Sequence, residues 1–154
     1  MLTVGQTAPA FTLVDETGAT RSLADKAGKW VVIYFYPKDD TPGCTKEACA
    51  IRDIYDEFAA LDVTVFGVSK DSVTSHARFK EKYQLPFTLL SDESTEMIAA
   101  YDAWQEKTSF GNTAMGITRI SYLIDPAGKV AKVYPKVSPT EHAHEMLSDL
   151  KTLM

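Results

Sequence analysis

Two cysteines carry the most chemical information in this sequence. Cys44 directly follows the segment Pro37–Gly43, which reads PKDDTPG, and Cys49 comes five residues later. An apolar run leads into this segment and a helical pattern leads out of it, so Cys44 is expected on the first turn of a helix. The unpaired N–H groups of a first turn favour an anion, and the thiolate is the reactive form of cysteine. The position therefore favours a nucleophile over a small buried side chain.

The spacing of the two cysteines limits how they can react with each other. Five residues along a helix correspond to a Cα separation of about 8.6 Å, with the side chains on different faces. A disulfide needs Cα atoms within about 7 Å of each other, so Cys44 and Cys49 cannot bond while the helix is intact. The pattern fits a nucleophile and a resolving partner that is released by local unfolding. Two unrelated free thiols remain an alternative at this point.

Local signals around Cys44 define the start of this helix. Thr41 is expected to be its N-cap and Pro42 its first helical residue. Pro42 and Gly43 together force a tight turn. Asp39 and Asp40 are expected to be solvated loop charges.

Strands and helices alternate along most of the chain. The segments Phe11 to Val14 and Ala19 to Leu23 predict an N-terminal β-hairpin. The apolar runs Trp30 to Tyr36 and Val63 to Ser69 predict strands buried on both faces. A short strand over Phe87 to Leu90 follows, and a hairpin is expected from Ile120 to Tyr134.

Helices are predicted between and after these strands. The apolar spacing indicates helices over Cys44 to Leu61, Val73 to Tyr83, Thr95 to Tyr101 and Glu141 to Leu153, whereas Trp104 to Met115 is expected to be irregular. Such alternation predicts an α/β fold with a central mixed sheet flanked by helices. With 154 residues, a single domain over residues 1–154 is expected.

Composition excludes several classes of function. The formal net charge is −5 and no basic stripe is present, which argues against a nucleic-acid partner. No apolar run reaches the roughly 18 residues of a membrane span, and no leader pattern precedes Gly5. We therefore expect a cytoplasmic protein without a membrane partner. In a reducing compartment, two cysteines are more often redox-active than structural.

The spacing of the histidines and cysteines predicts no metal site. His142 and His144 stand two residues apart on a predicted helix, so they cannot face each other and are expected to be exposed. Neither of them is spaced from Cys44 or Cys49 as metal ligands usually are.

Three blocks of the sequence resemble the peroxiredoxin family. Pro37, Thr41 and Cys44 match its Pro-x-x-x-Thr-x-x-Cys pattern, and the distance to Cys49 is similar to that in the bacterioferritin comigratory protein or peroxiredoxin Q subgroup. The opening segment GQTAPAFTL (5–13) and the segment GITRISYLID (116–125), which contains Arg119, are similar to further family segments. These blocks are spread from residue 5 to residue 125 and occur in the family's order.

The resemblance implies a thioredoxin-like fold and a thiol-dependent peroxidase that reduces hydrogen peroxide and organic hydroperoxides. Cys44 would be oxidised to a sulfenic acid, and Cys49 would resolve it as an intrachain disulfide. Thioredoxin or a similar dithiol would reduce that disulfide. Arg119 would hold the thiolate and polarise the peroxide, Thr41 would donate its hydroxyl to the peroxide and orient it, and Pro37 would shield the thiolate from water. No separate cofactor would be required. The subgroup also favours a monomer.

Two other classes compete with this reading. A disulfide carrier typically uses Cys-x-x-Cys, whereas four residues separate the cysteines here. An interaction or chaperone-like protein would keep the fold without needing Thr41 or Arg119. Arg52, two helical turns from Cys44, competes with Arg119 as the cation and is expected instead to orient nearby acids.

Overall fold

The described part of the chain forms nine strands and five α-helices. The computed structural model describes residues 1–154, apart from the side chain of Ser109. The strands are β1 (Thr12–Asp15), β2 (Thr20–Ser22), β3 (Val31–Phe35), β4 (Thr64–Ser69), β5 (Thr88–Ser91), β6 (Trp104–Ser109), β7 (Asn112–Ile117), β8 (Ser121–Ile124) and β9 (Val130–Tyr134). The helices are α1 (Pro42–Asp53), α2 (Tyr55–Ala60), α3 (Val73–Tyr83), α4 (Glu96–Ala100) and α5 (His142–Leu153), with a short 3-10 helix at Ala24–Lys26.

Seven strands form one mixed sheet in the order β2-β1-β5-β4-β3-β8-β9. The central strands β3, β4 and β5 run parallel to one another, and the outer pairings are antiparallel. Parallel neighbours require crossover connections, which here are α1 with α2 and then α3. The predicted mixed α/β architecture and the N-terminal hairpin of β1 and β2 are confirmed.

Strand β3 separates two apolar layers. All five of its residues are buried. Because successive side chains of a strand point to opposite faces, Val32 and Tyr34 pack in one layer while Ile33 and Phe35 pack in the other. The first layer includes side chains of α1, α2, α3 and α5, and the second includes those of α4 and the N-terminal segment. This central strand leads straight into the segment that carries Cys44.

Two elements of the structure differ from the sequence-based predictions. The helix expected over Cys44 to Leu61 is broken at Ile54, whose φ of −120° and ψ of 16° end α1 before α2 begins. The segment expected to be irregular from Trp104 to Met115 instead forms the hairpin of β6 and β7. Its turn has positive φ at Phe110 (53°) and Gly111 (80°), as a two-residue hairpin turn requires. The strands of this hairpin are largely exposed, which explains why apolar alternation did not reveal them.

Among the described residues, none of the helices combines the length and the apolar composition that crossing a membrane requires.

Candidate active site

Cys44 lies on the first turn of α1. The helix starts at Pro42, and Thr41 is its N-cap with extended backbone (φ −99°, ψ 156°). The expected positions of all three residues are therefore confirmed. The Cys44 side chain is only 1% exposed. A thiolate here would lie beside the unpaired N–H groups of the helix start.

The Thr41 hydroxyl does not cap the helix. Its side chain makes no capping hydrogen bond, and Oγ1 instead donates to the Lys38 carbonyl oxygen at 2.8 Å. The hydroxyl proton is thus engaged within the loop, so it is not free for the donation to the peroxide that the resemblance implied. The oxygen's lone pairs remain available to accept a hydrogen bond from a substrate.

Arg119 brings a permanent positive charge to Cys44. It lies between β7 and β8, and its Nη2 is 3.2 Å from the Cys44 sulfur although the two residues are 75 positions apart in the chain. Gly43 makes this approach possible, since a Cβ at that position would lie 2.6 Å from Nη2. The guanidinium and the helix start together form an electropositive pocket around the sulfur.

Glu47 is a site residue that the sequence analysis missed. It is 1% exposed, and its Oε1 lies 3.5 Å from Arg119 Nη1, while Oε2 has no hydrogen-bond partner among the described residues. Burial raises the pKa of Glu47 to about 7, with Arg119 partly opposing this shift. A signal existed in the sequence, since a residue three positions after Cys44 lies on the same helical face.

Tyr34 adds a second buried polar group without a partner to this region. Its hydroxyl is one of three buried side-chain oxygens, among the described residues, that make no hydrogen bond. Burial raises the pKa of Tyr34 well above its ordinary value, and the neighbouring charges of Glu47 and Cys44 add to the shift. Two buried oxygens near Cys44, in Tyr34 and Glu47, thus lack a hydrogen-bond partner among the described residues.

Cys49 lies on the same unbroken helix as Cys44, and both thiols are free. Its side chain is half-buried, and burial raises the pKa of the Cys49 thiol, with Arg52 partly opposing the effect. Arg52 donates to the Asp53 carboxylate and to the Tyr83 carbonyl oxygen, in agreement with its expected role of contacting nearby acids. A Cys44–Cys49 bond requires α1 to open.

The structure confirms the expected exposure of Asp40 and corrects that of Asp39 and His142. Pro37 is half-buried just after β3 ends, and Asp40 is exposed as expected. Asp39 is not a solvated loop charge, because it is 7% exposed and hydrogen-bonded to buried side chains. His142 is also buried rather than exposed; its Nε2 lies 2.8 Å from the Ser121 hydroxyl and its ring packs edge-on against Tyr134. Both side chains are buried because they contact residues that are distant in the sequence.

Comparisons with known proteins agree with this geometry. The model of the AhpC/TSA family matches residues 4–133. A protein named putative peroxiredoxin bcp from Coxiella burnetii is 49% identical over 147 residues, which cover 96% of this chain and 97% of that protein. Peroxiredoxin Bcp from Bacillus subtilis is 47% identical over 150 residues, covering 97% and 96%.

Solved structures show the same fold. A cysteine-to-serine mutant of PrxQ from Xylella fastidiosa matches with a TM-score of 0.94 and 33% identity, over 99% of this chain and 98% of that one. The bacterioferritin comigratory protein of Xanthomonas campestris, studied for alkyl peroxide reduction, matches with a TM-score of 0.89 and 38% identity, over 93% and 91%. The chain therefore belongs to the AhpC/TSA family, as a thioredoxin-like peroxiredoxin of the Bcp and PrxQ type whose activity is thiol-dependent peroxide reduction.

Proposed function

We propose that Cys44 is the residue that attacks the peroxide and that Cys49 resolves the product. The observation that carries this assignment is the 3.2 Å contact between Arg119 Nη2 and the buried Cys44 sulfur at the start of α1. Cys49 has neither a helix start nor this cation beside it. The helix start and the guanidinium thus both lie beside Cys44, and the nucleophilic form of cysteine is the thiolate.

The first step transfers one oxygen atom to sulfur. The Cys44 thiolate attacks the terminal oxygen of the hydroperoxide, the O–O bond breaks, and the other oxygen leaves as alkoxide or hydroxide, which takes up a proton. The products are a Cys44 sulfenic acid and an alcohol or water. Negative charge spreads from sulfur to both oxygens in the transition state, and the several donors of the Arg119 guanidinium can stabilise the charge as it moves onto oxygen.

Thr41 and Pro37 have supporting roles in this proposal. Because the Thr41 hydroxyl donates to the Lys38 carbonyl, its oxygen can accept a hydrogen bond from the peroxide O–H. That contact would orient the terminal oxygen toward Cys44. Pro37, half-buried at the end of β3, would keep bulk water from the thiolate.

Resolution follows once the start of α1 opens. The Cys49 thiolate attacks the Cys44 sulfur, the S–O bond breaks, and hydroxide leaves as water after protonation, which produces the intrachain disulfide. A thioredoxin-type dithiol then reduces this disulfide by exchange and is itself oxidised. The same opening would expose the disulfide to that partner.

We also infer the setting in which the enzyme works. The alkyl peroxide activity of the Xanthomonas relative supports organic hydroperoxides as substrates beside hydrogen peroxide. The acidic net charge of −5 supports the absence of a nucleic-acid partner. We propose a cytoplasmic monomer that forms one domain over residues 1–154 and needs no cofactor or metal.

The assignment is tested with Cys44→Ser and Cys49→Ser in a thioredoxin-coupled assay of peroxide consumption. We expect no turnover with Cys44→Ser. We expect Cys49→Ser to react once and to stall as sulfenic acid, which mass spectrometry detects after one equivalent of peroxide. Wild-type-like turnover by Cys44→Ser would refute the nucleophile, and sustained thioredoxin-dependent turnover by Cys49→Ser would refute the resolving role.

A further inference from the structure

Asp39 is a buried carboxylate in the loop between β3 and α1. Its Oδ1 accepts a hydrogen bond from the Tyr36 hydroxyl at 2.5 Å, and its Oδ2 lies 2.8 Å from the donating Ser75 hydroxyl and 2.7 Å from His76 Nδ1. His76, on α3, is 0% exposed. A carboxylate removed from water in this way needs a compensating positive charge.

We assign that charge to His76, with both of its ring nitrogens as donors. Nε2 lies 2.9 Å from the Leu90 carbonyl oxygen, which can only accept, and Nδ1 faces the carboxylate. Burial alone would lower the pKa of His76, but the hydrogen bond and charge of Asp39 outweigh it and raise the pKa above its usual value. Asp71 is the other charged group that acts on this imidazolium.

The three ionisable groups are satisfied without a metal ion. Asp39, Asp71 and His76 lie close enough together for their ligand atoms to surround a cation. Both imidazole nitrogens already donate, however, and Asp71 Oδ2 accepts from the Asp39 N–H at 2.9 Å and from the Ser69 hydroxyl at 2.6 Å. The arrangement is a hydrogen-bonded ion pair between the loop and α3.

Asp39, the loop member of this ion pair, lies five residues before Cys44 in the sequence. The same loop has a second link to α3 through Asp40, whose carboxylate accepts from Lys82 Nζ and from the Tyr83 hydroxyl. Those groups are largely exposed, so their contribution is expected to be small. The buried pair is therefore the principal attachment of the loop to α3.

We propose that His76 is a positioning residue whose ion pair with Asp39 holds the loop before α1 closed, and so sets how fast Cys44 leaves its pocket to meet Cys49. This inference rests on the proposed roles of the two cysteines. Peroxide reacts with Cys44 in the closed pocket, whereas the disulfide forms only from an opened segment. Strengthening the closed state therefore favours reaction with peroxide and slows resolution.

The competing fates of the sulfenic acid make this effect measurable. A sulfenic acid that waits in the closed pocket can react with a second peroxide and become a sulfinic acid. Faster opening diverts it to the disulfide. Weakening the pair should thus accelerate resolution and reduce over-oxidation, while the reaction with peroxide changes little as long as the closed state still predominates.

The test compares His76→Gln with wild type by stopped-flow fluorescence, using Trp30 and Trp104 as reporters. Glutamine keeps hydrogen-bond donors but carries no charge. We expect the peroxide-independent phase of disulfide formation to accelerate about fivefold or more, because breaking a buried pair shifts such equilibria by at least that factor. The peroxide-dependent phase should slow by no more than about twofold. Mass spectrometry after excess peroxide should show less sulfinic acid.

Two matched controls separate the ion pair from general damage to packing. The double variant His76→Gln/Asp39→Asn removes both charges, so it should recover most of the wild-type resolution rate. Asp40→Asn removes the exposed link between the same loop and the same helix and should leave both phases within about twofold of wild type. If His76→Gln does not fold, Ser75→Ala, which removes one hydrogen bond to Asp39, should shift resolution in the same direction by less.

Different results would contradict the positioning role of His76 and the proposed function of the two cysteines. Slowing of both phases, unchanged partition between disulfide and sulfinic acid, or a double variant no better than His76→Gln would overturn the positioning role. If wild type itself forms no Cys44–Cys49 disulfide, the proposed function fails before any variant is compared.

Discussion

At the scale of single residues, Gly43 decides how close Arg119 can come to the sulfur. A Cβ at position 43 would lie 2.6 Å from Arg119 Nη2, the atom that contacts Cys44. The guanidinium is the far end of a flexible side chain, so the fold can adapt by moving it. The contact with the sulfur would then be lost.

We predict that Gly43→Ala lowers the second-order rate constant with hydrogen peroxide by about 100- to 1,000-fold, the cost of removing one charge-stabilising donor. Stability should change by less than about 1 kcal/mol, since alanine suits a helix at least as well as glycine. Stopped-flow rates and urea unfolding measure the two effects. Thr45→Ala, in the same helical turn, is the control, and an unchanged rate in Gly43→Ala would show that Arg119 need not approach so closely.

Glu47 makes stability depend on pH. Burial raises its pKa in the folded protein to about 7, above the value of 4.5 for a solvated glutamate. The folded state therefore holds the proton more tightly than the unfolded state does. This stabilising contribution is fully present below pH 4.5 and is lost as the pH rises through about 7.

We predict that wild type loses stability relative to Glu47→Gln between about pH 5 and pH 8, by up to about 3 kcal/mol. Glutamine cannot ionise, so the variant lacks this dependence while it keeps a similar shape. Urea unfolding of both reduced proteins at several pH values gives the difference. Parallel stability curves for the two proteins would show that Glu47 does not titrate in this range.

At the scale of elements, the start of α1 combines reactivity with ease of opening. Pro42 has no N–H to donate, and Thr41 provides no side-chain cap. Helix ends are among the least stable parts of a fold. The helix also ends early, at Ile54, so opening its first turns does not disturb α2.

We predict that disulfide formation accelerates amide hydrogen exchange in residues 44–49 by at least about tenfold, while α2 and α3 keep their protection. Exchange mass spectrometry on reduced and oxidised protein tests this. The Cys49→Ser protein treated with one equivalent of peroxide is the control, because its sulfenic acid has no partner that pulls the helix open. Full protection of residues 44–49 in the oxidised wild type would contradict the opening mechanism.

At the scale of the whole molecule, two neighbouring strands of the sheet make a close contact through Tyr34. Tyr34 on β3 pairs with Gly67 on β4, and a Cβ at position 67 would lie 2.8 Å from the tyrosine ring and hydroxyl. Tyr34 is 1% exposed and stacks on Tyr36 with the ring centres 5.5 Å apart. The ring therefore has little room to move.

We predict that Gly67→Ala destabilises the protein by about 1–3 kcal/mol through overpacking. This corresponds to a fall in melting temperature of about 2–4 °C for each kcal/mol in a protein of this size. Calorimetry measures the shift. Gly116→Ala is the matched control, because its Cβ would meet only the flexible side chain of Lys107, at 3.1 Å. Equal melting temperatures for Gly67→Ala and wild type would show that Tyr34 can adjust.

The sequence by itself determined the features that depend on neighbouring residues. Thr41, Pro42 and Gly43 set the start of α1 through local turn and cap preferences, so Cys44 lies on the predicted first turn. The apolar run through β3 predicted a strand buried on both faces, since burial of this kind leaves a continuous pattern. The spacing of Cys44 and Cys49 excluded a disulfide within an intact helix.

Only the tertiary structure decided which distant groups meet and which charges leave water. Arg119 reaches Cys44 across 75 positions of the chain, a contact that the family resemblance implied but that no local pattern encodes. Asp39 and His142 look like solvated side chains in sequence, yet both are buried because distant partners, His76 and Ser121, satisfy them. Local preferences act between neighbours, whereas burial and ion pairing depend on the packing of the whole chain.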